Sequence, residues 1–150
     1  MSETPELQQS AVTTVREFLA ALEMKAVDEA VELLDPGVVW KNTSLPDMRG
    51  AERVGSILRL LDRGLVGFRV DIQHIAAESE GHPAAEGQTV LTERTDYLRF
   101  GPIEFGFWVC GTFELVDGRI TLWHDHFSWE NLLRGLGVGI LRGLRPRRPA

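Results

Sequence analysis

Cysteine is nearly absent from this chain. Cys110 stands alone in 150 residues, which excludes an internal disulfide and any zinc or iron–sulfur site built from several cysteines. Long apolar runs are missing as well: no stretch approaches the roughly 20 apolar residues of a membrane span. Stability must therefore come from packing, and a chain of this length forms a single domain, 1–150, able to bury roughly two thirds of its unfolded surface. Basic residues are in the minority, 16 against 22 acidic ones for a net charge of −6, so the body of the chain would repel phosphate. No basic stripe interleaved with aromatics offsets this, and a nucleic-acid partner is not expected. Acidic residues are in turn missing from the C-terminal end, where Arg134, Arg142, Arg145, Arg147 and Arg148 follow the last acid, Glu130. The opening residues, MSETPELQQS, lack the basic-then-apolar pattern of a secretory leader, so a cytoplasmic location is expected.

Apolar residues recur at helical spacing from Leu7 to Glu23 (Val12, Val15, Phe18, Leu19, Leu22), which predicts an amphipathic helix behind a flexible N-terminus of about residues 1–6. A second helix, about Ala26 to Leu34, should stop at the DPG punctuation of Pro36 and Gly37. VVWKN, Val38 to Asn42, reads as a short strand, and a third helix follows over about Gly50 to Leu61. Beyond Gly64 the apolar period changes to two: Phe68 to Glu78, Thr89 to Phe100, Ile103 to Val116 and Arg119 to Phe127 read as four strands in series. Turn signals divide them at EGHPAAEG, at GP and at VDGR, the last a strong hairpin mark. The pattern predicts an α+β fold, a curved antiparallel sheet with the N-terminal helices packed on one face and an apolar pocket between them. A final helix or hook, SWENLLRGLGVGILRGL, opens at the N-cap residue Ser128 and leads to a basic tail of about residues 143–150.

One strand carries charge where a core is expected. In LTERTDYLRF, Arg94 and Asp96 are two residues apart and so share a face with Leu98. In WHDHF, Asp125 shares a face with Trp123 and Phe127, and Asn42 shares one with Trp40. If Asp125 reaches the far side of the same guanidinium, the result is an Asp–Arg–Asp triad in an apolar cavity. At an effective dielectric of about 20, each Asp–Arg contact near 4 Å gains about 4 kcal/mol, and two carboxylates about 6 Å apart repel by about 3 kcal/mol. The first carboxylate ionises readily; the second would gain only the small difference while leaving a net anion in a dry pocket. One proton should stay on the pair, giving an acid and a base side by side. Opening of an epoxide by water needs no more than that, although the residues alone permit it without selecting it.

The sequence resembles the limonene-1,2-epoxide hydrolases, within the larger nuclear transport factor 2-like and SnoaL-like fold. LTERTDYLR is similar to that family's Thr-Glu-Arg-x-Asp strand, DGRITLWHDHFSWE to its hairpin ending Trp-x-Asp-x-Phe, and VVWKN to its Tyr-x-Asn element. The resemblance implies a cofactor-free homodimeric enzyme without a metal that converts a lipophilic epoxide to a vicinal diol. It further implies Asp125 as general base toward water, Asp96 as general acid toward the epoxide oxygen, Arg94 as the bridge between them and Asn42 as a holder of the water. Trp40 stands where the family has a tyrosine, and an indole nitrogen can donate a hydrogen bond but not accept one. By the same carry-over Leu19, Leu22, Leu98, Phe107, Val109 and Phe127 would line the substrate pocket.

Plainer readings stand beside these. Arg94 with Asp96 could be an ion pair that fixes strand register. HDH at 124–126 invites a metal, but alternation sends His124 and His126 to the face opposite Asp125; these two, His74 and His82 read as surface or interface groups. Cys110 lies opposite Val109 by parity and reads as a buried, inert thiol. Trp108 and Trp123 read as packing residues. The Gly-rich segment LLRGLGVGILRGL would close the pocket mouth or pack at a dimer interface, with its flanking arginines also suiting a membrane surface. Two rival functions remain at this level: a SnoaL-like cyclase or ketosteroid-isomerase-like proton shuttle, and a non-catalytic lipid-binding protein.

Overall fold

The computed structural model describes residues 3–65, 67–78 and 87–145. Its first helix, α1 (Glu3–Glu23), begins earlier than the apolar periodicity suggested, so residues 3–6 are helical. Ala11, Val15, Phe18 and Leu19 fall on one side of it and are buried against strands β3 (Gly67–Ala77) and β4 (Gln88–Phe100). The helix stops at Lys25, whose left-handed backbone (φ 60°) lets Ala26 N–H reach back to the Ala21 carbonyl at 2.9 Å. Glycine usually takes that conformation. Here the lysine ammonium donates to the Leu65 carbonyl at 2.8 Å, tying this turn to the end of α3 (Ala51–Gly64). The short helix α2 (Val27–Glu32) follows the turn and buries Val27 and Ala30.

Two expectations are corrected at the next strand. The DPG segment does not end in a loop: β1 runs from Leu34 through Pro36 and Gly37 to Asn42, with a register shift between Leu34 and Val39 that absorbs the irregular residues. Pairing of β1 with β6 (Arg119–Phe127) is parallel, so the sheet is mixed, while its other pairings among the described residues are antiparallel. Short turns dictate antiparallel pairing between consecutive strands, but β1 and β6 are far apart in sequence and either direction is open to them. A two-residue strand, β2 (Met48–Arg49), was not foreseen; it pairs with β1. With β5 (Ile103–Val116) in place, the six strands found among the described residues form one open sheet in the order β2-β1-β6-β5-β4-β3.

The core lies between the helices and the inner face of this sheet. Val15, Phe18, Val38, Val54, Val90, Phe113 and Ile120 are fully buried, and Phe18 meets Trp123 edge-on with ring centroids 4.9 Å apart. Helix α4 (Trp129–Gly143) opens as expected, with the Ser128 hydroxyl accepting from the Asn131 N–H. Its glycines do not break it. Gly135, Gly139 and Gly143 recur every fourth residue along one side and let the helix lie on the β5 backbone; a Cβ at Gly135 would come within 2.5 Å of the Gly106 carbonyl oxygen. No described helix is long and apolar enough to cross a membrane. His82, the EGHPAAEG turn over 80–86, Arg147, Arg148 and the tail from 146 on lie outside the described residues.

Candidate active site

Strand alternation places Val90, Thr92, Arg94, Asp96 and Leu98 of β4 on the inner face. The antiparallel register sets Arg94 opposite Val109 and Asp96 opposite Phe107, while Gly111 faces Thr92 on one side and Asp125 on the other. Parallel pairing of β1 with β6 adds Asn42 beside Asp125 and Trp40 beside Trp123. Three strands, β1, β4 and β6, thus bring Trp40, Asn42, Arg94, Asp96 and Asp125 to one patch of the sheet.

At the centre of that patch Arg94 is 1% exposed, and Asp96 and Asp125 are each 6% exposed. The guanidinium donates through Nε to Asp96 Oδ1 at 2.8 Å and through Nη2 to Asp96 Oδ2 at 3.2 Å. Nη2 also meets Asp125 Oδ2 at 2.9 Å, so one cation bridges two carboxyl groups. Its remaining nitrogen, Nη1, donates to the Thr92 hydroxyl at 3.2 Å, which itself donates to the Gly111 carbonyl at 3.3 Å. Asp125 Oδ1 is buried without a hydrogen-bond partner among the described residues. Burial raises the pKa of Asp96 above the usual carboxylate range; Arg94 opposes that shift, and the negative charges of Asp125 and Glu23 reinforce it. The Arg94 guanidinium loses hydration by burial, but the charges of Asp125 and Asp96 more than compensate and hold it firmly protonated.

The triad stands in the wall of a cavity of about 520 Å³. Leu19, Leu22, Leu98, Phe107, Val109 and Phe127 all line it, together with Trp40 and Asn42. Leu58, Leu61, Leu65 and Phe68, from α3 and the segment after it, complete the apolar wall, with Leu132 of α4 on another side. Lys25 and Asp62 add charge to the lining. A larger surface groove of about 630 Å³ lies among Val31, Glu32, Leu34, Pro36, Ala51, Glu52 and Arg119, and shares no residue with the triad. Trp40 stacks on Trp123 at 4.2 Å between centroids, and both indole nitrogens are buried without a partner among the described residues.

Sequence reasoning missed Thr92 and Gly111. Thr92 shared the inner parity of Arg94 all along, and an isolated glycine inside a strand marks a close approach. The approach at Gly111 is tight: a Cβ there would collide with Arg94 Nη1 and lie 2.7 Å from Thr92 Oγ1 and 3.1 Å from Asp125 Oδ1. Gly111→Ala should therefore push the guanidinium out of line, lowering kcat by about tenfold or more and stability by about 1–3 kcal/mol. Steady-state kinetics and a denaturant melt check this; an alanine variant as active and stable as the parent would mean that the triad tolerates displacement.

Outside the cavity the outer sheet face behaves differently from two expectations. Trp108 is not a core residue: it is 45% exposed and donates from Nε1 to Glu93 at 3.1 Å, an arrangement that, with His74, lowers the Glu93 pKa. Cys110 is only half-buried, because this face carries no covering element among the described residues. His124 and His126 do lie opposite Asp125, with ring centroids 3.8 Å apart, and burial lowers the pKa of His124. Among the described residues no group of three or more His, Cys, Asp or Glu side chains is placed to hold a metal ion.

The family model of the limonene-1,2-epoxide hydrolase catalytic domain matches residues 9–137. Epoxide hydrolase EphG of Mycobacterium tuberculosis is 42% identical over 130 residues, 87% of this chain and 78% of that protein. The structure of an LEH-like epoxide hydrolase from M. tuberculosis superposes with a TM-score of 0.78 at 39% identity, covering 89% of this chain and 94% of that one. An NTF2-like protein from Burkholderia pseudomallei shares the fold at 18% identity, with a TM-score of 0.64 over 85% of this chain and 97% of its own.

Proposed function

The chain belongs to the limonene-1,2-epoxide hydrolase family, the premise from which we propose that it hydrolyses a lipophilic epoxide to a vicinal diol in one step, without a cofactor. The observation that carries the proposal is the single guanidinium held between two carboxyl groups, at 2.8 Å from Asp96 and 2.9 Å from Asp125, inside an apolar cavity. Asp125 is the base: its Oδ1, without a partner among the described residues, takes a proton from water as the water oxygen attacks an epoxide carbon. Asp96, the group whose burial favours the protonated form, gives its proton to the ring oxygen as the carbon–oxygen bond breaks. Asn42, paired with Asp125 across β1 and β6, orients that water, and Trp40 contributes to it only as a donor. After release Asp125 carries the proton and Asp96 the charge, and exchange across the pair bridged by Arg94 restores the starting state.

The apolar wall of Leu19, Leu22, Leu98, Phe107, Val109 and Phe127 supports a substrate that is mostly hydrocarbon. A proton shuttle acting on a carbonyl compound would have no use for an arginine between its acid and its base. One turnover in heavy-oxygen water tests the reading: the label should enter the diol in the first turnover with enzyme in excess. Unlabelled diol in that turnover would mean that the new oxygen came from an aspartate, through a covalent ester, and would overturn the one-step mechanism.

A further inference from the structure

Helix α4 is built inside out. Gly135, Gly139 and Gly143 face the protein, and Leu133, Leu141 and Leu144 are 61%, 67% and 75% exposed. At 3.6 residues per turn Trp129, Leu133, Ile140 and Leu144 fall on one arc, with Leu141 at its edge. The next arc carries Arg134 and Arg145, and Arg142 follows. Glu130 is the sole acid of the helix and is already paired with Arg134 at 3.1 Å. An apolar stripe of this size on an exposed helix marks an interaction face.

We propose that this stripe docks on an anionic lipid surface, with the leucines at the boundary between headgroups and acyl chains and the arginines against lipid phosphates. Charge selects that occupant. The chain as a whole is acidic, net −6, so an anionic surface repels its body and admits only the end where arginines stand beside exposed leucines. A second copy is a poorer match, since α4 offers it no free carboxylate, and an antiparallel two-fold pairing of the stripes would set arginine against arginine. The helix lies on such a surface and does not cross it. Its inner residue Leu132 lines the cavity, and Trp129 packs on Phe127 of the cavity wall at 5.1 Å, so docking brings that wall to the lipid boundary. Delivery of substrate from the lipid rests on the proposed function; docking itself does not.

Vesicle flotation without substrate tests the docking, comparing phosphatidylcholine alone with phosphatidylcholine mixed with phosphatidylserine. The protein should float with the mixed vesicles, bind neutral ones less, and release as salt is raised. The double variants Leu133→Gln/Leu141→Gln and Arg142→Glu/Arg145→Glu should each reduce partitioning by about tenfold or more, while far-UV circular dichroism and turnover of a water-soluble epoxide stay unchanged. Protein that stays in the buffer fraction, or variants that float as well as the parent, would overturn the proposal. So would leucine variants that convert a dimer to a monomer without altering flotation, because a second copy would then cover the stripe. Failure of epoxide turnover in the parent would count against the function alone, since flotation is read independently.

Discussion

Replacing either Asp125 or Asp96 by asparagine should lower kcat by roughly 10²–10⁴-fold while the protein stays folded, because each change removes one proton-transfer partner and leaves the shape of the site intact. An amide oxygen still accepts from Arg94, as Asp96 Oδ1 does at 2.8 Å, so the guanidinium keeps a partner on that side. What the amide cannot do is take a proton from water at position 125 or release one at position 96. The two variants should differ in stability. Asp96 has a raised pKa, so the native protein holds that proton more tightly than the unfolded chain does, and stability falls as pH rises. Its contribution is complete below the unfolded carboxylate value near 3.9 and is lost as pH climbs through the raised native value. Asparagine does not titrate, so Asp96→Asn should gain on the parent as pH rises and be at least as stable near neutrality. Activity of the parent should decline over the same upper range as Asp96 loses its proton. Diol production near the parent rate in either variant would remove the assignment, and an Asp96→Asn protein clearly less stable at neutral pH would make Asp96 a plain ionised partner of Arg94.

Most of this site was legible in the sequence because strand parity carries so much information. Arg94, Asp96 and Leu98 had to share a face, as did Trp123, Asp125 and Phe127, and the meander supplied the neighbouring strands. That the two faces are the same face of one sheet was only a condition of the sequence reading, and the strand register meets it. The parallel placement of β1 was not legible, since no local signal says which edge a strand separated by a helix will join. Asn42 reaches Asp125 only through that pairing. Cavity walls drawn from α3 were equally hidden: Leu58 and Leu61 are ordinary helix positions until the helix is docked. The outer face misled in the opposite direction. Trp108 and Cys110 were expected to pack, yet parity alone fixes the side of a sheet and says nothing about whether a second layer covers it. In α4 the glycines looked like a weakness in a helix, yet Gly135, Gly139 and Gly143 form its contact surface, a distinction visible only once the backbone carbonyls of residues 102–106 lie against them.

Arg94→Met should be the most destabilising single change in the cavity. Methionine fills much of the same volume, so the loss would come from charge: Asp96 and Asp125, each 6% exposed, would keep their burial and lose the one cation that compensates it. Removing one member of a buried ionic group costs about 3–5 kcal/mol, which for a chain of 150 residues corresponds to a fall in Tm of about 10 °C or more. The cost should shrink as pH falls and Asp96, whose burial favours the protonated form, takes up its proton, so parent and variant melts draw closer in acid. Adding Asp96→Asn and Asp125→Asn to Arg94→Met removes the charges altogether. That triple variant should recover much of the lost stability and none of the activity, as expected when a buried triad is retained for its chemistry and not for its contribution to folding. A triple variant as unstable as Arg94→Met would place the loss in packing or in the hydrogen bonds to Thr92, and the triad would then have to be regarded as structural.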